Sequence, residues 1–123
     1  MDKIQALNTF WSSFGWAAYD AYTVPSEDLH PDIPRITYNT EVSEFEDTMS
    51  VSVSLWDESY TWDRISQKAD EIYAHIGSGG IVIPFDGGAL WIKRGSPFYT
   101  RMADPDDRIR RIVINVDIEY FKD

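Results

Sequence analysis

Two stretches of the chain repeat apolar residues every three or four positions, the spacing that lines one side of a helix. The first covers residues 2–14, stops at Gly15, and has the stripe Ile4, Leu7, Trp11 and Phe14. The second stops at Gly77 and has the stripe Ile65, Ala69, Ile72 and Ile76, flanked by Trp62 and Tyr73. Ser59 or Thr61 could cap this second helix, and Asp63 favours its positive N-terminal end. The pattern therefore predicts two amphipathic helices.

Other stretches alternate with a period of two, which predicts strands with one covered face. Residues 35–42 and 49–55 lie on either side of an acidic turn and predict a hairpin. Its second strand would bury Met49, Val51, Val53 and Leu55 and expose Ser50, Ser52 and Ser54. Residues 81–85 and 90–93 predict a second hairpin around Asp86-Gly87-Gly88. The last predicted strand, residues 109–121, turns Ile112, Ile114, Val116, Ile118 and Tyr120 inward and Arg111, Asn115, Asp117 and Glu119 outward.

Two long connections are predicted between these elements. Residues 15–34 contain Pro25, Pro31 and Pro34, which block a helix. They form either a strap laid across the core or an arm that reaches another subunit, and the pattern leaves both open. Residues 94–107, with Gly95, Pro97 and Pro105, are predicted to form the second loop.

The predicted order of elements is α-β-β-α-β-β-β, and it indicates the α+β class. Strands that occur in pairs around a mid-chain helix favour a largely antiparallel sheet of about five strands, with both helices packed on one face. A chain of 123 residues accommodates one domain, so residues 1–123 are expected to form a single unit.

Charge and composition exclude several classes of function. The chain has 21 acidic and 11 basic residues and a formal net charge of −10, which disfavours stable binding to DNA but not the passage of DNA nearby. Because cysteine is absent, disulfides, thiolate nucleophiles and Cys-ligated zinc are excluded. Without a signal-peptide pattern or an apolar run of about 20 residues, we expect a soluble protein that makes no contact with a membrane.

The sequence offers no constellation of catalytic residues. The two histidines, His30 and His75, have no partners at metal-ligand spacing, and the acidic clusters resemble solvated turns. Residues 77–80 are rich in glycine but lead from a helix into a strand, whereas phosphate-binding loops open a helix. We therefore expect no catalytic residue, no metal and no cofactor.

One segment has the composition of an interface. Its large side chains belong to the types that anchor protein contacts, and they are Trp91, Arg94, Phe98, Tyr99, Arg101 and Met102. The alternative is a core strand followed by a loop that folds back, and both remain open. An aromatic fraction of 15% exceeds what one small core needs, which also favours an interface.

The order and spacing of several short motifs resemble tail-terminator or minor-capsid-type proteins of long-tailed phages and prophages of Gram-positive bacteria. The motifs are residues 34–38 (PRITY), 51–56 (VSVSLW), Trp62, Ile65, 68–72 (KADEI), 86–88 (DGG), 91–92 (WI), 94–98 (RGSPF) and 110–112 (RRI). The resemblance covers the chain from Phe10 to Tyr120. No single motif carries a chemistry of its own, so the weight lies in their order.

The resemblance implies a sheet flanked by helices and a structural role in the virion tail, after assembly in the cytoplasm of the bacterial host. Tail terminators form a ring, typically a hexamer, that caps the tail tube and presents a surface to the head-side connector or stopper protein. The expected partners are other copies of the chain, the tail-tube protein and that connector, with DNA only as passing cargo. Ring contacts would use the segment from Trp91 to Met102 and, as a second patch, Tyr19 and Tyr22. The candidates for the lumen or rim are Glu44, Glu46, Asp47, Asp104, Asp106 and Asp107.

Two other functions remain open from the sequence. A head-completion or stopper protein at the connector would belong to the same virion, and nothing in the sequence separates it from a terminator. A cytosolic binding module outside any virion would instead be a monomer that binds a single partner.

Overall fold

A computed structural model describes residues 1–20, 33–39 and 48–122. In these residues, two helices and six strands follow one another in the order α-β-β-β-α-β-β-β. They are α1 (Lys3–Ser12), β1 (Ala17–Asp20), β2 (Arg35–Tyr38), β3 (Thr48–Glu58), α2 (Asp63–Ile76), β4 (Ile81–Phe85), β5 (Gly88–Met102) and β6 (Ile109–Lys122).

Both predicted helices form, but their N-terminal ends are capped differently. The Asp2 carboxylate accepts a hydrogen bond from the Gln5 backbone N–H, and the Gln5 side chain accepts one from the Asp2 N–H, so α1 begins with a capping box. The prediction that Ser59 or Thr61 caps α2 is wrong, because the cap position is Trp62 and it makes no side-chain cap bond. Ser59 instead accepts a hydrogen bond from the Thr61 N–H.

All six strands form one sheet in the order β1-β2-β3-β6-β5-β4. The β1–β2 pair is parallel, and every other neighbouring pair is antiparallel. The longest uninterrupted pairing joins β3 to β6, from Thr48 opposite Glu119 to Glu58 opposite Ile109. This pairing forms the middle of the sheet and brings together residues about sixty positions apart in the chain.

The predicted face of the sheet is the one that the helices cover. Both helices contribute to one core cluster, and the sheet side chains buried with them are Ile36, Tyr38, Val51, Val53, Leu55, Leu90, Ile92, Ile112, Ile114, Val116, Ile118 and Tyr120. The predicted stripe of α2 is buried at all four positions. In α1 the stripe is shifted, because Ile4 is exposed whereas Ala6 and Phe10 are buried beside Leu7 and Trp11.

Helix α1 contacts strands from both ends of the sheet order. It packs against β1 and β2 at one end and against β4 at the other. Because β1 and β4 are the edge strands, the sheet curls around α1. Helix α2 lies against the longer strands β3, β5 and β6. The two helices therefore occupy one concave face.

The strands differ from the prediction in two respects. Residues 17–20, predicted as part of a long connection, form β1, which is too short to show an alternating pattern. Strand β5 continues to Met102 instead of ending at Lys93, because a shift in register between Arg94 and Tyr99 absorbs Gly95 and Pro97. The sheet therefore has six strands and one parallel pair. The predicted strap residues 21–32 and the turn at 44–47 lie outside the described residues.

Candidate interaction surface

The face of the sheet that neither helix covers carries a row of large side chains on four adjacent strands. The register places Arg35 of β2 opposite Trp56 of β3, Trp56 opposite Arg111 of β6, and Arg111 opposite Met102 of β5. Side chains of paired residues in antiparallel strands point to the same face. These four residues therefore lie side by side, and we refer to them as the arginine–tryptophan row.

Contacts with the indole ring hold the row together. The guanidinium carbons of Arg111 and Arg35 lie 4.6 and 6.0 Å from the centre of the Trp56 ring, within the range of cation–π attraction. The Trp56 indole N–H donates to the Thr37 hydroxyl at 3.1 Å, which fixes the orientation of the ring. Trp56 is thus held between two cations.

Burial differs along the row. Arg35 is 7% exposed and Met102 is 39% exposed, while Trp56 and Arg111 lie between these values. The Nε and Nη2 atoms of Arg111 donate to the Ser54 hydroxyl at 3.3 and 3.0 Å, and this cover explains why Ser54 is buried although it was predicted to be exposed. The serine face is otherwise solvated, since Ser50 and Ser52 are exposed.

An aromatic pair, Trp91 of β5 and Phe121 of β6, lies on the same face, at the end of these two strands opposite to Met102 and Arg111. The Trp91 and Phe121 ring centres are 6.3 Å apart, and the Lys93 ammonium lies 4.4 Å above Trp91. The Trp91 indole N–H donates to the Gly79 carbonyl at 2.9 Å. Glycine is required at Gly80, where φ is +79° and an added Cβ would lie 2.5 Å from the Trp91 nitrogen. The turn after α2 therefore fixes the position of this ring.

The structure divides the predicted interface segment between the two faces. Trp91 and Met102 lie on the face without helices, whereas Arg94 and Phe98 pack on Tyr73 of α2. The Arg94 guanidinium carbon is 3.4 Å from the Tyr73 ring centre, and its Nε donates to the Tyr73 carbonyl at 2.9 Å. Arg101 lies over Trp62, 4.9 Å from its ring centre, and Tyr99 is 36% exposed. The six residues do not form one patch.

The second predicted patch is described only at Tyr19, because Tyr22 lies outside the described residues. Tyr19 belongs to β1 and lines a groove of about 600 Å³ between that strand and α1. Ile4 and Tyr38 line the same groove. Burial raises the pKa of the Tyr38 phenol and nearby Asp20 raises it further, while a hydrogen bond from Asn8 at 2.6 Å lowers it.

The predicted lumen or rim residues are described only in the connection between β5 and β6, since Glu44, Glu46 and Asp47 lie outside the described residues. Asp104 accepts a hydrogen bond from the Asp106 N–H, and Asp106 forms an ion pair with Arg108 at 3.0 Å. The hydrogen bond to Asp106 raises the pKa of Arg108. Asp104 and Asp106 line a pocket of about 370 Å³ together with Arg35, Trp56 and Glu58, and Asp107 is exposed.

The described residues contain no group of three His, Asp or Glu side chains that could hold a metal ion. Of the two histidines, His30 lies outside the described residues. His75 is exposed in the last turn of α2, with its ring 5.3 Å from that of Phe14. Among the helices of the described segments, none is long and apolar enough to cross a membrane.

Two features of the structure are not predicted by the sequence pattern. One is the arginine–tryptophan row, which depends on a register between strands that the pattern of a single strand cannot reveal. The other is the Asp57 carboxylate, which is fully buried on the covered face and accepts hydrogen bonds from Nε and Nη2 of Arg64. A charged residue at a core position of an alternating strand was the signal for Asp57.

Comparisons with known proteins give no further assignment. No protein-family model matches the chain, and neither a curated protein nor a solved structure is significantly similar to it.

Proposed function

We propose that the chain is a tail-terminator-like subunit of a long-tailed phage, which caps the tail tube as a ring and lets the head join. The observation that carries the proposal is the arginine–tryptophan row on a sheet face that neither helix covers. Tryptophan, arginine and methionine are the residue types that anchor protein contacts, and here they are adjacent, with Trp56, Arg111 and Met102 partly exposed. Such a surface suits an assembly subunit.

A second, different surface is also available to support a closed ring in this proposal. Ring contacts are head-to-tail, so each subunit needs two unlike patches that match. The groove between α1 and β1 lies at one edge of the sheet, while the row crosses β2, β3, β6 and β5 on the opposite face. The resemblance in motif order and the α+β fold with helices on one face support the same role. In this proposal the chain acts through contacts and performs no catalysis.

The experiment is a phage lysate that lacks a functional copy of the gene. Heads should fill with DNA while tails accumulate separately, many of them with abnormal length, and electron micrographs would show both. A plasmid copy of the wild-type gene should restore joined virions. Tails of normal length joined to heads would exclude the terminator role. Tails of normal length with unjoined heads would instead favour the head-completion alternative.

Complementation with single variants would test whether the row carries the assembly contacts. Trp56→Ala and Arg111→Gln should restore joined virions poorly. Arg110→Gln is the matched control, because Arg110 is the adjacent residue, stacks on another tryptophan, Trp62, and lies on the covered face. Full rescue by all three variants would mean that assembly uses another surface.

A further inference from the structure

Arg35 is a buried cation with unused hydrogen-bond donors. It is 7% exposed, and neither its Nε nor its Nη1 has a hydrogen-bond partner among the described residues. A guanidinium stays protonated in proteins, and leaving such a group buried without an anion is unfavourable. In the described residues this guanidinium lies 6.0 Å from the centre of the Trp56 ring and forms no ion pair, although Glu58, Asp104 and Asp106 line the same pocket. An anion bound beside Arg35 would satisfy these two donors.

A second guanidinium lies on the other side of the same ring. Arg111 donates to the neutral Ser54 hydroxyl and forms no ion pair with a carboxylate of the described residues. Arginine that stacks on an aromatic ring keeps its planar fork of donors available for a carboxylate. The row thus offers two cations on either side of an apolar ring, in a chain whose net charge is −10.

We propose that the arginine–tryptophan row binds an acidic peptide segment of a partner protein. Carboxylates of that segment pair with Arg35 and Arg111, and its apolar side chains pack on Trp56 and Met102. The adjacent pocket of about 370 Å³ gives a side chain room to enter beside Arg35. This assignment concerns the chemistry of the partner and stands on the contacts of the row, independently of the role in the virion.

Carboxylates at the pocket favour a peptide over a nucleic acid. Glu58, Asp104 and Asp106 line the same pocket, and within the described part of the chain only Asp106 forms an ion pair there, with Arg108. A continuous phosphate backbone would run against these acids, whereas an isolated carboxylate can approach the arginines alone. The charges around the pocket therefore favour a peptide whose carboxylates are separated by apolar side chains.

The test is an NMR titration of the isotopically labelled protein with a synthetic peptide in which Asp and Glu alternate with Leu. The control peptide has Asn and Gln at the acidic positions. The indole N–H signal of Trp56, identified by its loss in Trp56→Phe, should shift saturably with the acidic peptide alone. The shift should weaken as salt is added, because partly exposed ion pairs are screened.

Variants locate the binding. Arg111→Gln should lower the affinity for the acidic peptide about tenfold, the effect of losing one charge-assisted hydrogen bond. Arg110→Gln should leave this affinity unchanged. Preserved methyl signals in both variants would show that each is folded. Absence of a saturable shift, equal binding of the amide peptide, equal weakening by both variants, or a Trp56 shift produced by duplex DNA instead of the peptide would overturn the proposal.

Discussion

Removal of Arg64 should destabilise the protein far more than its exposed position suggests. The Arg64 side chain is 56% exposed, but its partner, the Asp57 carboxylate, is 0% exposed. Both carboxylate oxygens accept from the Arg64 guanidinium. Arg110 lies opposite Asp57 in the register of β3 and β6, but its Nη2 donates a hydrogen bond to the Tyr60 carbonyl at 3.0 Å. Arg64→Ala would therefore leave the buried Asp57 carboxylate without its ion-pair partner.

The expected magnitude follows from that burial. Breaking a buried ion pair by removing one partner costs about 3–5 kcal/mol. In a urea titration with a slope of about 1–3 kcal/mol per molar, Arg64→Ala should lower the unfolding midpoint by about 1–5 M. Asp57→Asn combined with Arg64→Ala should recover part of the loss, because a buried amide without a partner costs about 1–3 kcal/mol instead.

The control is Arg108→Ala, which breaks an ion pair with Asp106 in which both side chains are well exposed. Exposed pairs contribute little, so the urea midpoint of this variant should stay close to that of the wild type. An unchanged midpoint in Arg64→Ala, or a further decrease when Asp57→Asn is added to Arg64→Ala, would show that this ion pair does not stabilise the fold as proposed.

Other predictions concern the core, the turn after α2 and DNA. Ile72→Ala should lower the unfolding free energy by about 2–5 kcal/mol in a urea titration, because Ile72 is fully buried. Gly80→Ala should lower the unfolding midpoint and shift the Trp91 indole signal in NMR spectra, since its Cβ would meet that ring. Burial raises the pKa of the Tyr120 phenol above its ordinary value of 10.0, so stability should be intact below that value and fall as the pH rises through the raised pKa. Tyr120→Phe should remove this loss above about pH 10 and, because the buried hydroxyl has no hydrogen-bond partner in the described residues, should not destabilise at neutral pH. Binding of duplex DNA at near-physiological salt should be no tighter than about 10⁻⁴ M in a mobility-shift assay, and a tight, salt-sensitive complex would contradict the argument from net charge.

The sequence predicted the elements whose pattern is long enough to be periodic. Helix α2 and strands β3 and β6 repeat over eleven or more residues, and their buried faces are confirmed. Strand β1 has four residues, so no period could show it. Strand β5 was cut short because Gly95 and Pro97 resemble a loop, although a shift in register accommodates both.

The candidate surface could be predicted less well than the fold. The sequence predicted an interface in the segment from Trp91 to Met102, because large residues of the types found at interfaces are close together there. Because side chains alternate between the two faces of a strand, the residues of this segment lie on both faces of the sheet. The row instead combines Arg35, Trp56 and Arg111, which are about twenty and fifty-five positions apart in sequence and become adjacent only through the pairing of β2, β3 and β6. Such a combination needs the register, which period-two patterns leave undetermined.

Helix α1 has a consequence for how the molecule unfolds. Because α1 packs against β1, β2 and β4, loss of its contacts would release the curled sheet at both edges together. Edge strands of a sheet usually fray independently, at free energies well below that of global unfolding. Here the backbone amides of β1 and β4 should exchange with solvent as one cooperative group, although these strands are farthest apart in the sheet order. Substitution of the buried Leu7 should therefore accelerate exchange at both edges equally.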